Sequence, residues 1–133
     1  SFVDAILNKA RTEIQVAAVA DKFSTPTYTQ DIAAMLRVLL DSSAADGILH
    51  LANRGACSWQ EYAQWALDCC HKFGLPMKAK TVGAATLGEM KNFVAQRPVY
   101  TVLGTEKYER LIGVAPRDWH IAVADYVRDY YRR

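Results

Sequence analysis

The sequence predicts an α/β fold, mostly helical with a few short strands. Two observations carry this. Apolar residues recur at offsets of three and four through most of the chain, the period of helices buried along one stripe. Between those stretches lie short apolar runs bounded by Gly, Pro, Asn or Asp, as strands are. At 133 residues, 51% hydrophobic and 23% charged, the chain has the size and composition of one globular domain that buries a core without a staple. No repeat, low-complexity tract or linker divides it, so residues 1–133 read as a single domain.

Phe2, Val3, Ile6, Leu7 and Ala10 share a face and predict a helix over residues 2–12. Residues 14–19 read as a strand ending at Asp21. Ser24-Thr25-Pro26-Thr27 is a loop, because Pro26 has no N–H and pushes the residue before it towards extended geometry. A second helix follows, with Thr27 or Thr29 as its cap and Ile32, Met35, Leu36, Leu39 and Leu40 as its stripe. Asp46-Gly47 is a turn. Residues 48–52 are nearly all apolar, which suits a strand covered on both faces, as in a parallel sheet; Asn53-Arg54-Gly55 ends it.

Ser58 and Glu61 make a capping box that starts a third helix, with Trp59, Tyr62, Ala63, Ala66, Cys70 and Phe73 on its buried face. Gly74 stops it, and Pro76 lies beyond. A short strand is expected over residues 80–83. Thr86 and Glu89 form a second box and predict a brief helix over residues 87–92. Arg97-Pro98-Val99-Tyr100 is extended, and Thr105 caps a short helix over residues 107–111. The last helix, residues 117–131, carries Trp119, Ala122, Val123, Tyr126, Val127 and Tyr130 on one stripe. So few strands, one of them reading as buried on both faces, suggest part of a larger sheet.

The same residues exclude several functions. A net charge of +2, with basic residues scattered apart from Arg132-Arg133, is not a nucleic-acid footprint. The longest apolar runs, such as residues 14–20, are far too short for a membrane span, and no secretory leader is expected. Three cysteines, Cys57, Cys69 and Cys70, with no C-x-x-C pair, read as reduced thiols of a cytoplasmic protein. The seven glycines match neither a dinucleotide fingerprint nor a P-loop. His50, His71 and His120 have no partner at metal-ligand spacing; His50 reads as a core histidine and His120 as a surface one. No G-x-S-x-G elbow occurs, and capping accounts for Ser58. Residue patterns by themselves assign no catalytic group and no metal site.

Several phrases in register resemble one family. Phe2-Val3 with Ile6-Leu7, then residues 19–27, are similar to a helix followed by a D-Q-x-G-x-P-T loop. Residues 47–53 and 55–63 resemble a G-x-Y-H-L … G … S-W-x-x-F/Y-A segment. Arg97-Pro98 with Thr101 and Leu103 resembles R-P-x-x-S-x-L, and residues 116–119 resemble the start of the closing helix. These phrases are those of dTDP-4-dehydrorhamnose reductase, an extended short-chain dehydrogenase/reductase, and they cover essentially the whole chain.

The resemblance implies the carboxyl-terminal substrate-binding lobe of a Rossmann-type enzyme, with the NADPH-binding amino-terminal half as its partner. It implies NADPH in the parent and no cofactor here. The family's Tyr-x-x-x-Lys pair, whose lysine lowers the tyrosine pKa for proton donation, is not found after any tyrosine of this chain. The segment alone is therefore expected to be inactive. Residues 48–52 would join the parent sheet; without it, strand pairing into a dimer or mild aggregation is expected.

A dTDP-linked 4-keto sugar is the implied ligand. Arg97, held extended by Pro98, is the implied pyrophosphate contact; a carboxylate partner that fixes the loop is the other reading. Lys91 is either a helper or a solvated lysine. Pro26 and Thr27 border the sugar cleft in the family, as contacts or as a structural turn. Tyr100 either stacks on thymine or packs in the core, and Trp59 reads as packing. Lys22 stands where the loop usually has Gln, and Ser24 where it has Gly. Gln30 matches a position where some members hold magnesium with glutamate; a neutral amide is a poor anchor, so no metal is expected. A reductase or epimerase of another nucleotide sugar, and the non-catalytic regulatory subunit of methionine adenosyltransferase, share the fold and stay open.

Overall fold

Ser1 and Asp4 cap the first helix reciprocally, and α1 (Phe2–Thr12) buries Val3, Ile6, Leu7 and Ala10. This is seen in a computed structural model that describes residues 1–42, 46–90, 95 and 97–131. β1 (Val16–Val19) runs parallel to β4 (Val82–Ala85), with Val16 opposite Val82 and Val19 opposite Ala85. β2 (Phe23–Ser24) pairs antiparallel with β3 (Cys57–Ser58). The architecture is thus α/β and mostly helical, as expected.

Two strand boundaries move. Ile14 is 76% exposed and lies outside β1. β4 starts two residues late, because the Lys78 and Ala79 N–H groups both donate to the Ala10 carbonyl at the end of α1. The first backbone groups of β4 are then met by side chains. Gln60 Nε2 donates to the Val82 carbonyl at 2.8 Å, and Gln64 Oε1 accepts the Val82 N–H at 2.7 Å.

Both glutamines stand on α3 (Trp59–Lys72), which begins with the expected Ser58–Glu61 capping box. It buries Ala63, Ala66, Leu67, Cys69 and Cys70 between α1 and α5 (Trp119–Tyr131). Gly74 follows its end at φ 71°, the left-handed stop expected there. α5 starts two residues later than expected, because Asp118 Oδ1 accepts the His120 N–H and acts as the cap.

A second, smaller cluster joins α2 (Thr29–Leu40) to α4 (Glu106–Ile112) through Met35, Leu39 and Tyr108. Leu36 and Leu40, expected on the buried stripe, are 47% and 78% exposed. Neither threonine caps α2. Tyr28 holds the cap position, Thr29 lies inside the helix, and the Thr27 hydroxyl is engaged elsewhere. Thr105 does precede α4, but its hydroxyl donates to Glu109 Oε1.

Residues 48–52 form no strand. Ile48 is 81% exposed, and His50 is exposed rather than in the core. Lys107 Nζ takes the carbonyls of Asp46 at 2.6 Å and Ile48 at 3.0 Å, and Leu49 and Leu51 lean on the α2–α4 cluster. The second predicted capping box is present but supports a single 3-10 turn, Leu87–Glu89. Lys91 and the end of the predicted helix, together with Arg132-Arg133, lie outside the described residues.

Candidate functional site

Phe23 in β2 carries β3 on one edge and residues 99–101 on the other. Its N–H donates to the Val99 carbonyl at 2.7 Å, and its carbonyl accepts the Thr101 N–H at 2.9 Å and hydroxyl at 3.0 Å. Tyr100, at the centre of this contact, lies 6.3 Å from the Phe23 ring and is 65% exposed. It is not a core residue; its ring offers a face to solvent. Arg97, exposed, borders a cavity of about 430 Å³ whose walls include Asp21, Leu87, Gly88, Met90 and Val99.

Pro26 and Thr27 border a different cavity, of about 280 Å³, walled by Val3, Tyr28, Tyr62 and Tyr126. The Thr27 hydroxyl donates to the Thr25 carbonyl at 3.2 Å and accepts the Asn53 N–H at 3.4 Å. The hydroxyl thus ties the turn to Asn53 and does not cap α2, the structural role expected of it. Of the four expected site residues, Pro26 and Thr27 border one hollow, Arg97 borders another, and Tyr100 lines neither but stands exposed beside Phe23. β2 links the two hollows: from Asp21 to Pro26 the chain spans five residues, at most about 18 Å.

A polar network behind the second cavity was not legible in the sequence. Asn53, 1% exposed, accepts the Tyr28 N–H through Oδ1 at 2.9 Å and donates through Nδ2 to Asp31 at 2.7 Å and to the Arg117 carbonyl at 3.3 Å. Arg117 Nε donates to Asp31 Oδ2 at 2.8 Å, and its Nη1 pairs with Asp125. Asp31, and then Asp125, raise the Arg117 pKa above its ordinary value. Gly55 sits beside the network at φ 97°, where an added Cβ would stand 2.8 Å from the Trp119 ring. An Asn closing an apolar run was the one available signal, and it reads equally well as a strand end.

A third group closes the hollow from the helix side. Asp4 Oδ1 accepts the hydroxyls of Tyr126 at 2.7 Å and Tyr131 at 2.5 Å. Burial alone would raise the Asp4 carboxyl, but hydrogen bonds from Ser1, Tyr131 and Tyr126 hold it well below the usual carboxylate range. Burial pushes the Cys57 thiol up to about 12 and those of Cys69 and Cys70 up to about 11, the opposite of an activated nucleophile. Among the described residues no three His, Cys, Asp or Glu side chains converge as a metal site, and no helix is long and apolar enough to cross a membrane. The seven glycines form no dinucleotide fingerprint. The arrangement is an apolar hollow rimmed by phenols, with an arginine-bordered hollow nearby.

Comparison with known proteins identifies the family. Residues 1–132 match the model of the RmlD substrate binding domain. The spore coat polysaccharide biosynthesis protein SpsK of Bacillus subtilis is 32% identical over 97% of this chain and 42% of its own length. The dTDP-4-dehydrorhamnose reductase of Escherichia coli K12 is 26% identical over 92% of this chain and 42% of its own. Among solved structures, the Clostridium acetobutylicum dTDP-4-dehydrorhamnose reductase ortholog superposes with a TM-score of 0.85 at 27% identity, covering 100% of this chain and 44% of that one. The Bacillus anthracis enzyme, solved in complex with NADP, gives 0.82 at 25% identity over 98% of this chain and 43% of that one. This chain therefore spans about two-fifths of the length of these relatives. Matched along 132 of its residues and superposing on solved reductases over its length, the chain belongs to the RmlD substrate binding domain family.

Proposed function

We propose that residues 1–133 are a single domain that binds the sugar nucleotide for an NADPH-dependent reductase of the cytoplasm, one that converts dTDP-4-dehydro-L-rhamnose to dTDP-L-rhamnose. The observation that carries this reading is the family match over residues 1–132, in a chain that has neither a Tyr-x-x-x-Lys pair nor a dinucleotide cradle. Its partner is a dinucleotide-binding half; the greater length of the relatives, and NADP in the Bacillus anthracis structure, support it. Hydride transfer and proton donation to the keto sugar belong to that half. This lobe holds the ligand in place.

The two hollows divide the ligand. Arg97 grips the pyrophosphate, since a guanidinium matches phosphate oxygens two at a time. The exposed Tyr100 ring stacks on thymine. Pro26 and Thr27 border the sugar, where Val3 and Tyr62 supply apolar wall. A span of at most about 18 Å between the hollows suits an extended nucleotide sugar.

A second reading keeps the fold and changes the sugar. The probable dTDP-4,6-dihydroxy-2-methyloxan-3-one 4-ketoreductase of Streptomyces antibioticus is 31% identical over 94% of this chain. Titrating the chain with dTDP by calorimetry tests what both readings share. Binding that Arg97→Ala weakens about tenfold supports it, the scale of one lost charge-assisted contact. Binding unchanged by Arg97→Ala removes Arg97 from the site.

A further inference from the structure

Residues 97–101 belong to no helix or named strand, yet Arg97 must be held somewhere definite to recognise a phosphate. Its neighbour Pro98 is held by Lys22, in the dipeptide Asp21-Lys22. Lys22 is 6% exposed, an unusual place for an ammonium. Its Nζ donates to the Pro98 carbonyl at 2.5 Å and sits 5.5 Å from the centre of the Trp59 ring. No carboxylate pairs with it among the described residues. Its own carbonyl accepts the Trp59 N–H at 3.1 Å, which ties the start of α3 to the same point. Asp21, one residue earlier, accepts the Leu87 N–H through Oδ1 at 2.7 Å. Neighbouring side chains thus pin Leu87, which lines the cavity that Arg97 borders, and Pro98, which lies between its lining residues Arg97 and Val99.

We propose that Lys22 is a positioning residue: through the Pro98 carbonyl it sets Arg97 for binding the pyrophosphate of a nucleotide sugar. This rests on the function proposed above for Arg97. The ammonium acts through a carbonyl next to the arginine, not through the ligand. Desolvation strengthens that bond, because the alternative for a buried ammonium is an unmet donor. The cost of burying Lys22 is therefore coupled to the place of Pro98, and so to that of Arg97.

Two variants separate positioning from mere stability. Lys22→Met keeps the length of the side chain and removes the donor; Lys22→Gln keeps a donor for Pro98. In the full chain, Lys22→Met is expected to weaken dTDP binding about tenfold, and Lys22→Gln to restore it to within about threefold. In an Arg97→Ala background, Lys22→Met is expected to cost nothing further, the signature of one residue acting through another. A Lys22→Met protein that binds dTDP as the parent does, or that loses a further tenfold without Arg97, overturns the proposal. Amide hydrogen exchange at Phe23 and Thr101, read with no nucleotide present, isolates the clamp from the function of Arg97. Faster exchange in Lys22→Met supports the clamp even where dTDP fails to bind, and unchanged exchange overturns it.

Discussion

The chain holds two apolar regions that differ in how completely they are enclosed. Around α3, residues such as Leu7, Leu67, Cys70 and Val127 have lost all contact with solvent, and α1, α5 and β1–β4 surround them. Between α2 and α4, Met35, Leu39 and Tyr108 are buried, while Leu36, Leu40 and nearby Ile48 stand in solvent. The difference teaches where this chain is self-sufficient. The hollow bordered by Pro26 and Thr27 lies against the enclosed region, where Val3, Tyr62 and Val123 line it.

The comparison predicts unequal costs for the same substitution. Leu67→Ala should lose about 3–5 kcal/mol, and Leu39→Ala about 2 kcal/mol, because a half-enclosed site relaxes into its void. Urea unfolding of both variants checks this, and equal losses would erase the distinction. Next in size comes Gly55→Ala, expected to cost about 1–3 kcal/mol through a left-handed backbone and a Cβ driven into Trp119. A melting temperature unchanged by that variant would show that the Asn53 network tolerates movement.

How much of this was readable beforehand follows the same division. α3 was predicted with its cap, because Ser58 and Glu61 act within one turn, and α1 from its stripe alone, because that stripe meets its partners inside the chain; the Ser1–Asp4 cap came only with the structure. The strand expected over residues 48–52 was an inference from apolar content alone. With no strand beside it among the described residues, Lys107 takes the carbonyls of Asp46 and Ile48 instead. Leu36 and Leu40 misled for the same reason: periodicity shows which face is apolar, not whether anything covers it. At the site, Pro26, Thr27, Arg97 and Tyr100 came from resemblance; the structure puts Pro26 and Thr27 on one hollow and Arg97 on another, and leaves Tyr100 exposed beside Phe23. Lys22 stood out in the sequence only as a departure from the family's Gln; that it is buried became visible only where Pro98 and Trp59 meet it.

A smaller effect concerns acid. Asp4, Asp118 and Asp125 all have folded pKa values below their ordinary ones. The stability they contribute is complete above the unfolded carboxylate value of about 3.9 and is lost as pH falls through the folded values. Urea midpoints should therefore hold steady from pH 7 to 5 and drop by pH 3. Asp4→Asn, which loosens α1 from α5, should shrink that drop; an identical drop would remove Asp4 from the account.

The central claim, that this lobe reads a nucleotide sugar across two hollows beside β2, is tested most directly by mapping amide chemical shifts while dTDP is added. The account predicts changes confined to residues 21–28 and 97–101, with Leu36, Leu40 and Tyr108 unmoved. Changes centred on α2 and α4, with Arg97 and Thr101 silent, would contradict it.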